Sequence, residues 1–183
     1  MATFFGLCDS AGNPTGAASD NDGGTTVSVW NNIAVKTFQC PGTGTQVVKE
    51  ISADIKLISG SSNMRCAIFS NDSGTLIAQG NSAVAVAGAA DSWQGHLTQA
   101  SITPNPATLT GGTNYVLVVS VSAGPGTVGT DHADSTANSF KFDNVDRSGG
   151  YGATLPAGTA GNPIWPVRVS VEQLGIPLAW TTA

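Results

Sequence analysis

Apolar and polar residues alternate strictly in two segments of this chain. In residues 50–57 (EISADIKL) the apolar side chains take every second position and the polar side chains take the others. Residues 167–172 (VRVSVE) repeat the pattern with valines. Because successive side chains of a strand point to opposite faces, a period of two is typical of a strand with one face in the core and one in solvent. The chain is therefore restricted to folds in which antiparallel sheets bury one face.

Further apolar runs extend this β pattern along the chain. Residues 115–121 (YVLVVSV) are apolar on both faces, which predicts a central strand covered on both sides. Shorter runs bounded by turn residues occupy 64–69, 76–78, 83–86 and 139–142. No window shows a sustained helical stripe, so we predict an all-β sandwich of about eight antiparallel strands.

The length of 183 residues fits one domain. We place the sandwich in residues 27–172, between an N-terminal arm of 1–26 and a C-terminal arm of 173–183. Glycine-rich and polar segments at 9–26, 122–138 and 148–163 are predicted to be long loops, which more often carry function than act as linkers.

Charge and hydropathy exclude two classes of partner. Only 10% of the residues are charged and the net charge is −5, so a nucleic acid backbone would meet repulsion. No run approaches the roughly 18 apolar residues of a membrane span. The N-terminal segment lacks a basic region before its apolar residues, and we therefore expect no secretion signal.

The three cysteines, Cys8, Cys40 and Cys66, are odd in number and show no C-x-x-C spacing. That count fits neither a disulfide framework nor a zinc site, so buried reduced thiols are favoured. A bridge between Cys8 and Cys40 stays open as an alternative.

Catalytic groups are scarce. The histidines are His96, in a predicted strand, and His132, in a predicted loop, and neither lies beside a G-x-S-x-G nucleophile motif. Glu50 and Glu172, the two glutamates, fall at outward strand positions, where they do not form an evident pair across a cleft. We therefore expect a protein that is not an enzyme.

Acidic residues cluster in two of the predicted loops. The candidate metal ligands are Asp20, Asp22, Asp131 and Asp134, since calcium takes about six to eight oxygen ligands. No complete calcium-loop motif is present, and aspartates in loops more often make turns. We expect no cofactor, with a structural calcium ion as the alternative.

Aromatic residues in loops are candidates for stacking on sugar rings. Trp30 and Trp93 fit strands and the core better, which leaves Tyr151, in the sequence GGYG, and Trp165, between two prolines. Tyr151 is the aromatic residue expected to be most exposed.

The segment after the last predicted strand is apolar at every second position: Leu174, Ile176, Leu178 and Trp180. A contiguous apolar surface usually marks a contact. Either this segment folds back on its own sandwich, or it docks on a neighbouring subunit.

The middle of the chain resembles the jelly-roll modules of bacterial surface proteins and bacteriophage virion proteins. The resemblance lies in residues 55–78, which contain MRCAIF and the turn SNDSGTLIA, in Ser92 and Trp93, and in residues 109–117 (LTGGTNYVL). It implies a jelly roll in which Tyr115 enters the core, and its motif is structural rather than catalytic.

We therefore expect a structural protein of a virion, such as a capsid decoration protein or a tail or fibre module. It would contact copies of itself and a capsid or tail protein, and it would be located in the virion. The alternative is a carbohydrate-binding module with an extracellular location.

Overall fold

The computed structural model describes residues 2–15, 37–88, 93–121, 128–129, 147–155 and 167–174 in full. For strand residues 17–18, 25–26, 31–36, 127, 132–133, 141–142 and 159–160 it describes the backbone only. Regular structure in the described part is strand, apart from one turn of 3-10 helix at Gln99–Ser101. In the same part no helix is long and apolar enough to cross a membrane.

The strands in chain order are β1 Thr3–Gly6, β2 Ala17–Ala18, β3 Thr25–Thr26, β4 Asn31–Gln39, β5 Thr45–Asp54, β6 Lys56–Ser59, β7 Asn63–Ser70, β8 Leu76–Gly80, β9 Val84–Ala85, β10 Trp93–His96, β11 Ile102–Thr103, β12 Thr108–Thr110, β13 Asn114–Val121, β14 Thr127–Gly129, β15 His132–Ala133, β16 Lys141–Phe142, β17 Thr159–Ala160 and β18 Val167–Gln173.

Two antiparallel sheets contain the principal strands. The first sheet has the order β1-β18-β5-β10, with β12 also paired to β5. The second has the order β11-β8-β7-β13-β4, with β9 also paired to β7. A small three-stranded sheet, β3-β14-β6, and two pairs of short strands, β15-β2 and β16-β17, lie outside these sheets.

The pairing of the principal strands is nested along the chain. The outermost pair is β1 with β18, followed inwards by β4 with β13, β5 with β10 and β7 with β8. This nested pairing is the strand order of a jelly roll, in which one long antiparallel hairpin is rolled up into two packed sheets. The predicted all-β sandwich is therefore confirmed.

The predicted N-terminal boundary of the sandwich is wrong. Thr3–Gly6 pairs with β18 along its whole length and forms an edge of the first sheet. Gly6 lies so close to β18 that an added Cβ would meet the Val167 carbonyl oxygen at 2.1 Å. The sandwich thus begins at Thr3 and not at residue 27.

The core lies between the two sheets. Its fully buried side chains come from alternate positions, such as Ile51 and Ala53 on β5 and Leu117 and Val119 on β13. At the rim Tyr115 is buried, and its hydroxyl accepts a hydrogen bond from the Thr110 amide at 2.9 Å. This confirms the expected entry of that tyrosine into the core.

The alternation over residues 50–57 does not correspond to one strand. It holds through Asp54, where β5 ends, and Lys56–Ser59 then pairs with β14 in the small three-stranded sheet. The outward face of β5 also differs from the expectation of solvent exposure, since Ser52 is 0% and Asp54 is 2% exposed. On this face Trp93 of β10 lies opposite Asp54 and Arg168 of β18 lies opposite Ser52, and the Arg168 guanidinium stacks on the Trp93 ring.

Candidate functional site

The last strand of the first sheet leads directly into the predicted contact segment. The Leu174 amide donates to the Thr45 carbonyl oxygen at 3.0 Å, which continues the pairing of β18 with β5 by one residue. The Leu174 side chain is nevertheless 57% exposed. Ile176, Leu178 and Trp180 lie outside the described residues.

Tyr151 is not exposed, and its prediction as a stacking platform for sugars is wrong. The residue is 6% exposed, and its ring meets Phe69 edge-on with the centroids 5.7 Å apart. Its hydroxyl donates to the Arg65 carbonyl oxygen at 3.1 Å and shares a hydrogen bond with the Ser120 hydroxyl. Its amide donates to Gln79 Oε1 at 2.7 Å. Burial raises the pKa of Tyr151.

Tyr151 covers the outer face of the second sheet. Together with Ala67, Phe69, Val116 and Val118 it forms a second buried apolar cluster, separate from the core between the sheets. This explains why β13 is apolar on both faces, as predicted. The sequence already indicated that the outer face of β13 is covered, because a strand with two apolar faces must be buried on both sides. It did not indicate that the loop containing Tyr151 covers this face.

Removing the Tyr151 hydroxyl should destabilise this cover. In Tyr151→Phe, the buried Ser120 hydroxyl and the Arg65 carbonyl oxygen each lose a partner, and we expect the free energy of unfolding to fall by about 1–2 kcal/mol. Urea denaturation measures the change. Thr154→Ala, at an exposed position of the same loop, is the control and should change it by less than about 0.5 kcal/mol. Equal effects would show that the hydroxyl contributes nothing.

The other predicted site residues are one candidate for sugar stacking and four candidate metal ligands. Trp165 and the four aspartates Asp20, Asp22, Asp131 and Asp134 lie outside the described residues. Among the residues that the structure does describe, no group of three or more histidine, cysteine or acidic side chains could hold a metal ion.

An arginine organises the outer face of the first sheet. The guanidinium carbon of Arg168 lies 4.8 Å from the ring centre of Phe4 and 4.3 Å from that of Trp93. Its Nε and Nη2 donate to Glu50 Oε1 at 2.9 and 2.8 Å, and its Nη1 donates to the Gly12 carbonyl oxygen. Arg168, Phe4, Trp93 and Glu50 form what we call the arginine cluster. Through the hydrogen bond to Gly12, this cluster holds the loop that contains Gly12 against the sheet.

The expected placement of Trp93 in the core is wrong. Trp93 is half-buried against Arg168 and is not part of the core between the sheets. Glu50, which also accepts from the Ser52 hydroxyl at 2.6 Å, lies on the outward face as predicted. Glu172 is likewise outward, with Lys49 at 3.3 Å.

All three cysteines are free. Cys40 and Cys66 are buried, as expected of reduced structural thiols, whereas Cys8 is half-buried. Burial raises the pKa of both Cys8 and Cys40 to about 11, so the thiols are protonated at neutral pH and poorly nucleophilic. The alternative bridge between Cys8 and Cys40 is not formed in this structure.

The inward side chains of β10 connect the two sheets. Although β10 pairs with β5 of the first sheet, Gln94 Oε1 accepts from the Ala87 amide at 2.6 Å, in the segment that follows β9 of the second sheet. Gln94 Nε2 donates to the Ile55 carbonyl oxygen at 2.6 Å. His96 Nε2 accepts from the Cys66 amide of β7 at 3.2 Å.

The imidazole of His96 fills a gap in the second sheet. On one edge β7 pairs with β9 at residues 63–64 and with β8 at residues 67–69, so Cys66 lies between the two partners. His96 supplies the acceptor that a strand would provide there. The ring fits because Gly80 has no side chain, since an added Cβ would lie 1.9 Å from His96 Cε1.

His96 is held neutral. It is 0% exposed, and burial, together with the positive charge of Arg65, lowers its pKa to about 4. Because Nε2 is an acceptor, the proton of the neutral ring resides on Nδ1, which is buried without a hydrogen-bond partner in the described part of the chain. His132 lies in β15, and its side chain is outside the described residues.

No protein family, curated protein or solved structure matches this chain. Its function is therefore inferred from its own residues.

Proposed function

We propose that this protein is a non-enzymatic structural protein that acts through protein contacts of residues 174–180. More specifically, we propose that it is a bacteriophage virion component, either a capsid decoration protein or a tail or fibre module. The observation that carries the proposal is the exposed Leu174 at the end of β18.

The position of Leu174 makes this exposure informative. Its backbone is bonded to Thr45 at the start of β5, so the residue is held by the first sheet. Preceding apolar residues of β18, such as Val169 and Val171, are 0% exposed, whereas Leu174 is 57% exposed. The next apolar residues follow at every second position to Trp180. An apolar segment of this kind that starts from a fixed, exposed residue favours docking on another subunit.

The proposed partners are further copies of this chain and a capsid or tail protein. Support comes from the jelly-roll strand order and from the likeness of residues 55–78, 92–93 and 109–117 to virion modules. The net charge of −5 disfavours nucleic acid as the partner. The proposed location is accordingly the virion.

The carbohydrate-binding alternative has less support. Its principal aromatic residue, Tyr151, is enclosed between the second sheet and its own loop, so neither ring face is available to a sugar without unfolding that loop. Trp165 would have to act without Tyr151.

Ending the chain after Gln173 tests the proposal. We expect sedimentation velocity to show an oligomer for the full chain and a folded monomer for the shortened chain, with unchanged far-UV circular dichroism. The reason is that the deletion removes the apolar contact, while every strand of the two sheets that the structure describes ends at or before Gln173.

Leu97→Ser is the matched control. Leu97 is also a largely exposed leucine, at 50%, but it follows β10 and lies far along the chain from the contact segment. This variant should retain the oligomer. A full chain that sediments as a monomer, or an oligomer that survives the deletion, would contradict self-assembly through residues 174–180.

A further inference from the structure

We propose that β10 is an acid-sensitive latch between the two sheets. Protonation of His96 releases β10 from the second sheet while the rest of the sandwich stays folded. This inference does not depend on the proposed function.

The strand is built so that it can detach locally. Within the described residues β10 is four residues long, lies at the edge of the first sheet and pairs with β5 alone. Its connections to the second sheet are side-chain hydrogen bonds of Gln94 and His96 rather than a backbone ladder. Short edge elements with few backbone bonds open at lower cost than central strands.

Protonation abolishes the hydrogen bond that closes the latch. Neutral His96 accepts at Nε2, whereas the imidazolium donates at both nitrogens. The new N–H would face the Cys66 amide, which is itself a donor, so both groups would lose their partner. The ring would also carry a charge at a site that is 0% exposed. Burial of an unpaired charge is strongly unfavourable, and moving β10 outwards relieves it.

The charged groups around the latch do not compensate for the imidazolium. On β7, Arg65 brings a second positive charge and Cys66 a neutral thiol whose pKa is raised by burial. On β5, Glu50 and Asp54 are on the outer face of the first sheet, opposite to the inward ring of His96. The negative charge of Glu50 also raises the pKa of the Cys66 thiol, but its carboxylate is paired with Arg168. Neither β8, β9 nor the rest of β10 contains a titratable side chain.

Cys66 reports whether the latch is open. Its thiol is 0% exposed and lies beneath β10, since a Cβ on Gly95 would be 3.3 Å from Cys66 Sγ. Movement of β10 would therefore expose this thiol to a reagent without unfolding the core around Leu117.

The test is thiol labelling between pH 7 and pH 4 in a Cys8→Ser, Cys40→Ala background, where Cys66 is the remaining thiol. The probe is 4,4′-dithiodipyridine, and each rate is divided by the rate of the same protein unfolded in urea at the same pH. We expect the relative rate to rise by about tenfold per pH unit below pH 6, in proportion to the protonated fraction of His96. The circular dichroism of the sheets should stay unchanged over that range.

His96→Gln is the discriminating variant, because glutamine retains an acceptor and does not titrate. Its labelling rate should be independent of pH. The same rise in this variant, or a rise that coincides with loss of the circular dichroism signal, would overturn the proposal.

Amide hydrogen exchange in the unsubstituted protein gives a second measurement that requires no variant to fold. The protection factor of the Cys66 amide should fall on acidification while that of the Val119 amide on neighbouring β13 is retained. Equal losses at the two amides would mean global unfolding and no latch.

Discussion

Leu117→Ala should lower the free energy of unfolding by about 2–5 kcal/mol, the range for truncation of a buried leucine. Leu117 is 0% exposed and lies in the middle of β13, which pairs with β7 on one side and β4 on the other. Because two neighbouring strands hold the backbone, the surrounding core cannot collapse fully into the cavity. Urea denaturation measures the change as a shift of the midpoint at constant slope.

The control for this prediction is Thr108→Ala. Thr108 is an exposed residue of β12, so its truncation should change stability by less than about 0.5 kcal/mol. If Leu117→Ala were as mild as this control, the inner face of β13 could not be the centre of the core.

Acidification from pH 7 to pH 4 should cost the protein about 3 kcal/mol of stability through His96 alone. The pKa of His96 is about 4 in the folded state against 6.5 as its ordinary value. The folded state therefore binds the proton less well than the unfolded state. The stability associated with the neutral ring is complete above pH 6.5 and is lost as the pH falls from 6.5 to 4, because the unfolded chain is protonated first.

The measurement is the difference in unfolding free energy between the unsubstituted protein and His96→Gln, taken from urea denaturation at several pH values. Asp9 and Asp72, whose pKa values are lowered by hydrogen bonds, titrate in both proteins, so their contribution cancels in the difference. A difference that does not change with pH would show that His96 is not buried as a neutral ring.

The sequence predicted strands best where the apolar residues follow a regular pattern along the strand, either at every second position or at nearly every position. Residues 167–172 alternate and form most of β18, and residues 115–121 are apolar throughout and form most of β13. Asn71, Asp72, Ser73 and Gly74 make the predicted turn between β7 and β8, with Gly74 at a φ of +62°. In these cases the preferences of neighbouring residues already agree with the final structure.

The candidate site was less predictable, because its residues interact across large distances along the chain. Tyr151 lies in a glycine-rich segment that resembles an exposed loop, and it is buried because Ser120 and Phe69 come from two other strands. Similarly, the neighbours of His96 in sequence do not indicate that Gly80 leaves room for its ring. For Leu174, the sequence left open whether its segment folds back on the sandwich or docks on a neighbour, and the structure shows that its side chain is exposed.

The sequence by itself determined the all-β class, the inward faces of β5, β13 and β18 and the apolar character of the final segment, because these properties depend on which side chains along the chain are apolar. The tertiary structure decided the nested pairing, which placed Thr3–Gly6 in the first sheet, Tyr151 over the second sheet and His96 in the gap beside β7. Long-range pairing of this kind depends on which hydrogen-bonding edges and apolar faces remain free after the other strands have paired. That information belongs to the assembled sheets and not to any local stretch of residues.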